Sequence, residues 1–274
     1  MSQHRKTSRK RQALMVLGVL GMLMVLGFPG VPGDRPLRAA EGGASQNERV
    51  KALMHKIDRL FRSESSHGVM TMAVKTERYS RTMKMEVWSR GMDQSLVKIL
   101  APKKDRGVAT LKSGKNIWMY LPDIDKVTKI PSSMMGSSWM GSHFTNDDLV
   151  RDSSWEDDFT GAITFEGDRN GVPTIEVTLT PKPDAPVVWG KVVMEIHATG
   201  LYPLRALYYD EEMNLTRSMM FDDVKDVGGR KIPARQRVIP ADKPQESTTI
   251  VYESMEFDQG VDEDMFSQKR LRGR

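Results

Sequence analysis

The sequence has 274 residues and no cysteine. That absence excludes a disulfide framework, a lipid-anchored lipoprotein cysteine and a thiol nucleophile. Other chemistry is missing as well. There is no Gly-x-Ser-x-Gly elbow, and the run Gly136-Ser137-Ser138-Trp139-Met140-Gly141 is spaced wrongly for one. The five histidines (His4, His55, His67, His143 and His197) stand singly, without metal-ligand spacing. His143 is read as a loop imidazole bonded to backbone. The acidic residues Asp147, Asp148, Asp152, Glu156, Asp157 and Asp158 lack the calcium-loop pattern and read as a solvated rim. The glycines mark turns, not a phosphate loop. No catalytic residue, metal or cofactor is therefore expected.

Long hydrophobic runs are also scarce. Ala13–Phe28 is apolar for 16 residues, short of the roughly 20 needed to span a bilayer. It follows the basic run Arg5, Lys6, Arg9, Lys10, Arg11 and precedes Ala39-Ala40, the layout of a secretory signal. Residues 1–40 are thus expected to be a signal peptide with a linker; an uncleaved N-terminal anchor is the alternative. Seven of the 41 Lys+Arg and one of the 36 Asp+Glu fall there. The remainder holds 34 basic and 35 acidic residues and is close to neutral. Its overall charge gives no support for nucleic-acid binding.

Residues 41–274 read as one mainly β domain. Val50, Leu53, Met54, Ile57, Leu60 and Phe61 make an apolar stripe of helical period over Gln46–Arg62. From Ser66 the period becomes two. Met83, Met85 and Val87 alternate with Lys84 and Glu86; Ile175, Val177 and Leu179 alternate with Glu176 and Thr178. Asn170-Gly171 and Gly228-Gly229 signal hairpins. Short connections predict a meander of about ten or eleven antiparallel strands, enough to force a curl. The helix and the segment Pro131–Val150 are the elements available to cover the concave face.

That segment is unusual. After the strand Ile117–Leu121 it carries Met134, Met135, Trp139, Met140 and Phe144 among serines, Gly136 and Gly141. Large apolar side chains belong on regular elements that a core can cover. Either this segment plugs the core or it lines an apolar pocket that something else fills. Methionine adapts to varied apolar partners, and 16 of the 20 methionines lie beyond residue 40.

The strand Ile117-Trp118-Met119-Tyr120-Leu121-Pro122, followed by Met140-Gly141-Ser142-His143-Phe144-Thr145-Asn146-Asp147-Asp148-Leu149, resembles the LolA-like, outer-membrane lipoprotein-sorting proteins. His143 stands where that family's pattern has an acid. The resemblance covers roughly residues 47–270. It implies an unclosed antiparallel β half-barrel whose N-terminal helix and loop or short helix cover an apolar concavity. It further implies a periplasmic, monomeric carrier of lipoprotein or lipid acyl chains, supplied by an inner-membrane transporter of ABC or RND type. In that reading Trp118, Tyr120, Met134, Met135, Trp139, Met140 and Phe144 form the cavity and lid, with Gly136 and Gly141 as hinges. The alternative function is a periplasmic sensor or adaptor that binds an envelope protein. Bound acyl chains would discriminate the two.

Overall fold

The computed structural model describes residues 43–61, 63–150, 155–183, 185 and 187–273. The expected signal, together with Arg62 and Asp152, lies outside them. Among the described residues no helix is long and apolar enough to cross a membrane.

Helix α1 (Gly43–Leu60) comes first. A first run of strands follows: β1 (Ser65–Lys75), β2 (Ser80–Arg90), β3 (Gln94–Ala101), β4 (Ala109–Ser113), β5 (Asn116–Leu121) and β6 (Lys126–Lys129). Two short helices, α2 (Asn146–Val150) and α3 (Trp155–Asp158), interrupt the strands. The second run is β7 (Phe159–Arg169), β8 (Val172–Pro181), β9 (Lys191–His197), β10 (Pro203–Tyr209), β11 (Leu215–Val227), β12 (Arg230–Pro240) and β13 (Ser247–Phe257). Helix α4 (Gln268–Leu271) ends the chain's regular structure. Among the described residues thirteen strands, not ten or eleven, make the sheet. The strand hardest to read from sequence is β6, Lys-Val-Thr-Lys, which is too short and too charged to show an alternation.

The order across the sheet is β6-β5-β4-β3-β2-β1-β13-β12-β11-β10-β9-β8-β7, all antiparallel and unclosed. Each run is a meander, as expected. The runs themselves join through β1 and β13, which pair from Ser66–Phe257 to Lys75–Ser247. Strands β6 and β7 are consecutive in sequence and lie at opposite edges. Twelve strand spacings of about 4.8 Å separate those edges along the sheet, about 58 Å. The connection between them crosses from one edge toward the other, and in its described part Trp139, Met140, Phe144 and Leu149 pack over one face of β1–β3. This is the physical reason a glycine- and serine-rich connection carries tryptophan and methionine.

Two faces result. On the inner face the α1 stripe Val50, Leu53, Met54 and Ile57 is buried against β7–β10, with Val177, Leu179, Val192 and Ile196. Each such side chain contributes about 1.5–3 kcal/mol on burial. Leu60 and Phe61 pack on a neighbouring cluster of Ile232, Ala234, Tyr252 and Phe257. The outer face of β2–β5 is covered by Phe266 and Leu271 near the C-terminus. Ser267 caps α4, its hydroxyl accepting from Arg270 N–H at 3.3 Å.

The β1–β13 seam tolerates no side chain at Gly68. A Cβ there would lie 2.3 Å from both the Ser254 carbonyl oxygen and Met255 Sδ. The sulfur can swing aside, but the backbone oxygen cannot. Gly68→Ala is expected to lower the unfolding free energy by about 1–3 kcal/mol, read from urea denaturation followed by circular dichroism.

Candidate functional site

The crossover folds into a tight plug. Trp139 N–H donates to the Phe144 carbonyl at 2.7 Å and Asn146 N–H to Ser137 at 2.9 Å, with a bridge between Ser138 and Thr145. Trp139 is only 4% exposed, set among Met72, Val74, Met83, Met85 and Ile99. Its indole N–H donates to Thr110 Oγ1 at 3.2 Å. Met140 and Phe144 pack against the same cluster. Met135 is half-buried and Met134 is 47% exposed.

The two expected hinges differ. Met140 and Gly141 both take left-handed backbone, φ 51° and 72°. The Tyr79 hydroxyl donates to the Gly141 carbonyl at 2.5 Å, so this bend is tied to the sheet. Gly136 sits in open space.

His143 is anchored to β13 and the turn before it. Its N–H donates to Thr248 Oγ1 at 2.9 Å. The ring Nδ1 lies 2.8 Å from that oxygen, and Nε2 lies 3.1 Å from Glu246 Oε2. Glu77 N–H and His143 hold the Glu246 carboxyl below the usual carboxylate range. The His143 ring therefore faces two side chains and not the backbone groups expected from the sequence.

Trp118 and Tyr120 sit elsewhere. They pack with Leu96, Ala109, Leu111, Phe266 and Leu271 on the outer face, while Met119 between them faces the plug. The period of two in β5 sends neighbours to opposite sides. The structure therefore brings together Trp139, Met140 and Phe144, and separates Trp118 and Tyr120 from them.

Next to the plug, a cavity of about 270 Å³ opens on the inner face. Ile57 of α1 and Phe61 just beyond its end form one wall, Phe144 and Asp148 of the crossover another, and Met219 and Phe221 of β11 the floor. Phe61 stacks on Tyr252 with ring centroids 5.4 Å apart. Of the seven expected cavity residues, Phe144 is the one that lines it.

One ion pair is set into this apolar wall. Arg217 Nη1 and Nη2 donate to the two Asp148 oxygens at 2.9 and 2.8 Å. Their side chains are 12% and 13% exposed. The guanidinium carbon lies 4.6 Å from the ring centroids of both Trp189 and Tyr208. Burial acts to raise the Asp148 carboxyl, but Arg217 and the Thr145 N–H and hydroxyl hold it below the usual range. Burial likewise acts against the Arg217 charge, and Asp148 more than restores it. Asp148 is thus no part of a solvated rim. Glu156 does lie toward the surface, 3.0 Å from His55 Nδ1. The signal for Arg217 was present: in Arg217-Ser218-Met219-Met220-Phe221 a cation shares its face with two large apolar residues.

Residues 91–273 match the model of a family described as "Uncharacterized protein". The chain belongs to that family. Its fold is similar to three solved structures. A DUF1329 family protein from Desulfovibrio piger is 22% identical, with a TM-score of 0.73, over 82% of this chain and 99% of that one. A putative outer membrane lipoprotein-sorting protein domain from Vibrio parahaemolyticus is 20% identical, with a TM-score of 0.70, over 82% and 99%. A LolA superfamily protein from Nitrosomonas europaea is 18% identical, with a TM-score of 0.66, over 80% and 98%. No curated protein matches the chain. The chain is LolA-like in fold: an open half-barrel with α1 and the crossover on its inner face.

Proposed function

We propose that the protein is a periplasmic carrier that takes the acyl chains of a lipoprotein or lipid into the cavity between α1 and the crossover, for transfer toward the outer membrane. It is a binding protein and not an enzyme. The first 40 residues direct its export, and residues 41–274 form the carrier domain. An inner-membrane transporter of ABC or RND type loads it.

The observation that carries this reading is the cavity itself, a mainly apolar space on the inner face of an open sheet, with Asp58, Asp148, Arg217 and Gln236 set into its lining. At about 270 Å³ it is smaller than the roughly 300–1,000 Å³ of ordinary ligand pockets. A loaded form therefore needs α1 or α2 to move outward. The Trp139 plug stays in place, because it is bonded to β4 and packed on β1–β3. Each methylene transferred from water contributes about 0.8 kcal/mol, so even a short stretch of chain supplies the driving force.

Native mass spectrometry of the protein purified from its own periplasm tests the reading. A lipid or acylated-peptide adduct, released by solvent extraction and reduced in Phe221→Asp, is the expected result. A clean mass, with no uptake of added fatty-acyl probes, would overturn it.

A further inference from the structure

We propose that Arg217 is the anchor for an acidic head on the acyl ligand, and that the ligand's oxyanion takes the place of the Asp148 carboxylate as the chain enters. This rests on the carrier reading and names the class of ligand: an acyl chain ending in a carboxylate or phosphate.

Four observations converge. Among the described residues that line the cavity, Arg217 is the one cation. It rests against the adjoining rings of Trp189 and Tyr208, whose centroids lie 5.1 Å from each other, so its position does not depend on Asp148 alone. Its Nε is buried and has no hydrogen-bond partner among the described residues, so the guanidinium has a donor that Asp148 leaves unused. Asp148 itself stands on α2, a five-residue helix of the crossover, whereas Arg217 stands within β11 at the β10–β11 pairing. One partner is on a short connecting element and the other is built into the sheet.

The electrostatics favour exchange over simple loss. A buried guanidinium without a counter-charge is costly, whereas one whose carboxylate is replaced by another oxyanion is not. An incoming head can use Nε as well as Nη, in the fork geometry that suits carboxylate and phosphate. As Asp148 leaves, α2 loses its ionic tie to β11 and the cavity can widen. In the empty protein Asp148 therefore stands in for the ligand's head.

Calorimetric titration of the purified protein with dodecanoate, dodecyl phosphate and dodecanol tests this. The wild type is expected to bind the better of the two acids about tenfold more tightly than the alcohol, about 1.4 kcal/mol. Asp148→Asn, which removes the internal competitor, should widen the preference for the better acid over dodecanol by about another tenfold. The double variant Asp148→Leu/Arg217→Met removes the pair's charges, leaving Asp58 as the charged residue of the lining, and should lose the preference for the acids; it decides the matter even if Asp148→Asn folds poorly. Tighter binding of the carboxylate would point to a fatty-acid-like head, and tighter binding of the phosphate to a phospholipid-like one. Equal affinity of the wild type for acid and alcohol would overturn the anchor while leaving the carrier reading intact. No binding of any of the three would overturn both.

Discussion

Trp139→Ala lowers the free energy of unfolding by about 3–5 kcal/mol, the range for truncating a large packed aromatic. The side chain is 4% exposed and fills the space over Met72, Met83, Met85 and Ile99. Its removal leaves a void that the crossover cannot close, because His143 and Gly141 are each hydrogen-bonded to residues outside it, Thr248 and Tyr79. It also strands the Thr110 hydroxyl in a buried position. Against a total stability of about 5–15 kcal/mol, the loss is large enough to see as an early urea transition by circular dichroism. Met134→Ala is the internal control. That side chain is 47% exposed and its loss should stay within about 0.5 kcal/mol. A Trp139→Ala protein as stable as the wild type would mean that the segment is a loose lid after all.

The second large effect concerns the pair in the cavity wall. Arg217→Met alone is expected to cost about 3–5 kcal/mol, because Asp148 is left buried without its partner. Asp148→Leu alone should cost a similar amount. The double variant, with an apolar pair of comparable volume, should return to within about 1 kcal/mol of wild type. The pH dependence has a defined sign. The Asp148 carboxyl is held below the usual carboxylate range in the folded protein, so the folded state binds fewer protons there than the unfolded state. Its contribution is complete above the unfolded value of about 3.9 and is lost as pH falls through the lower folded value. Urea midpoints measured from neutral to acidic pH should therefore fall more steeply for the wild type than for the double variant.

The helix, the antiparallel sheet and the hairpin at Asn170-Gly171 were legible because each has a local cause: a stripe, an alternation, a turn residue. The α1 stripe runs as expected, although the helix begins at Gly43 and ends at Leu60, before Phe61. What local pattern does not encode is which face a strand residue points to and what crosses over it. Trp118 and Tyr120 look like cavity residues beside Met119, yet β5 is covered on both sides, and α4 with the preceding turn claims the outer one. Trp139 was recognisable as out of place in a loop; that it plugs one half of the face, with the cavity beside it, follows only from β6 and β7 lying at opposite edges. Asp148 read as one acid among six. Its burial depends on Arg217, 69 residues away, and no spacing rule links the two.

The way the two runs of strands meet also sets an order of assembly. Within each run, every pairing joins strands adjacent in sequence, whereas the β1–β13 seam joins Ser66 to Phe257. Closing so long a loop costs chain entropy before the seam's own contacts offset it. The two meanders should therefore form first and zip together last. A defect at the seam would then act on escape from the native state: Gly68→Ala should accelerate unfolding in stopped-flow experiments and leave the refolding rate nearly untouched.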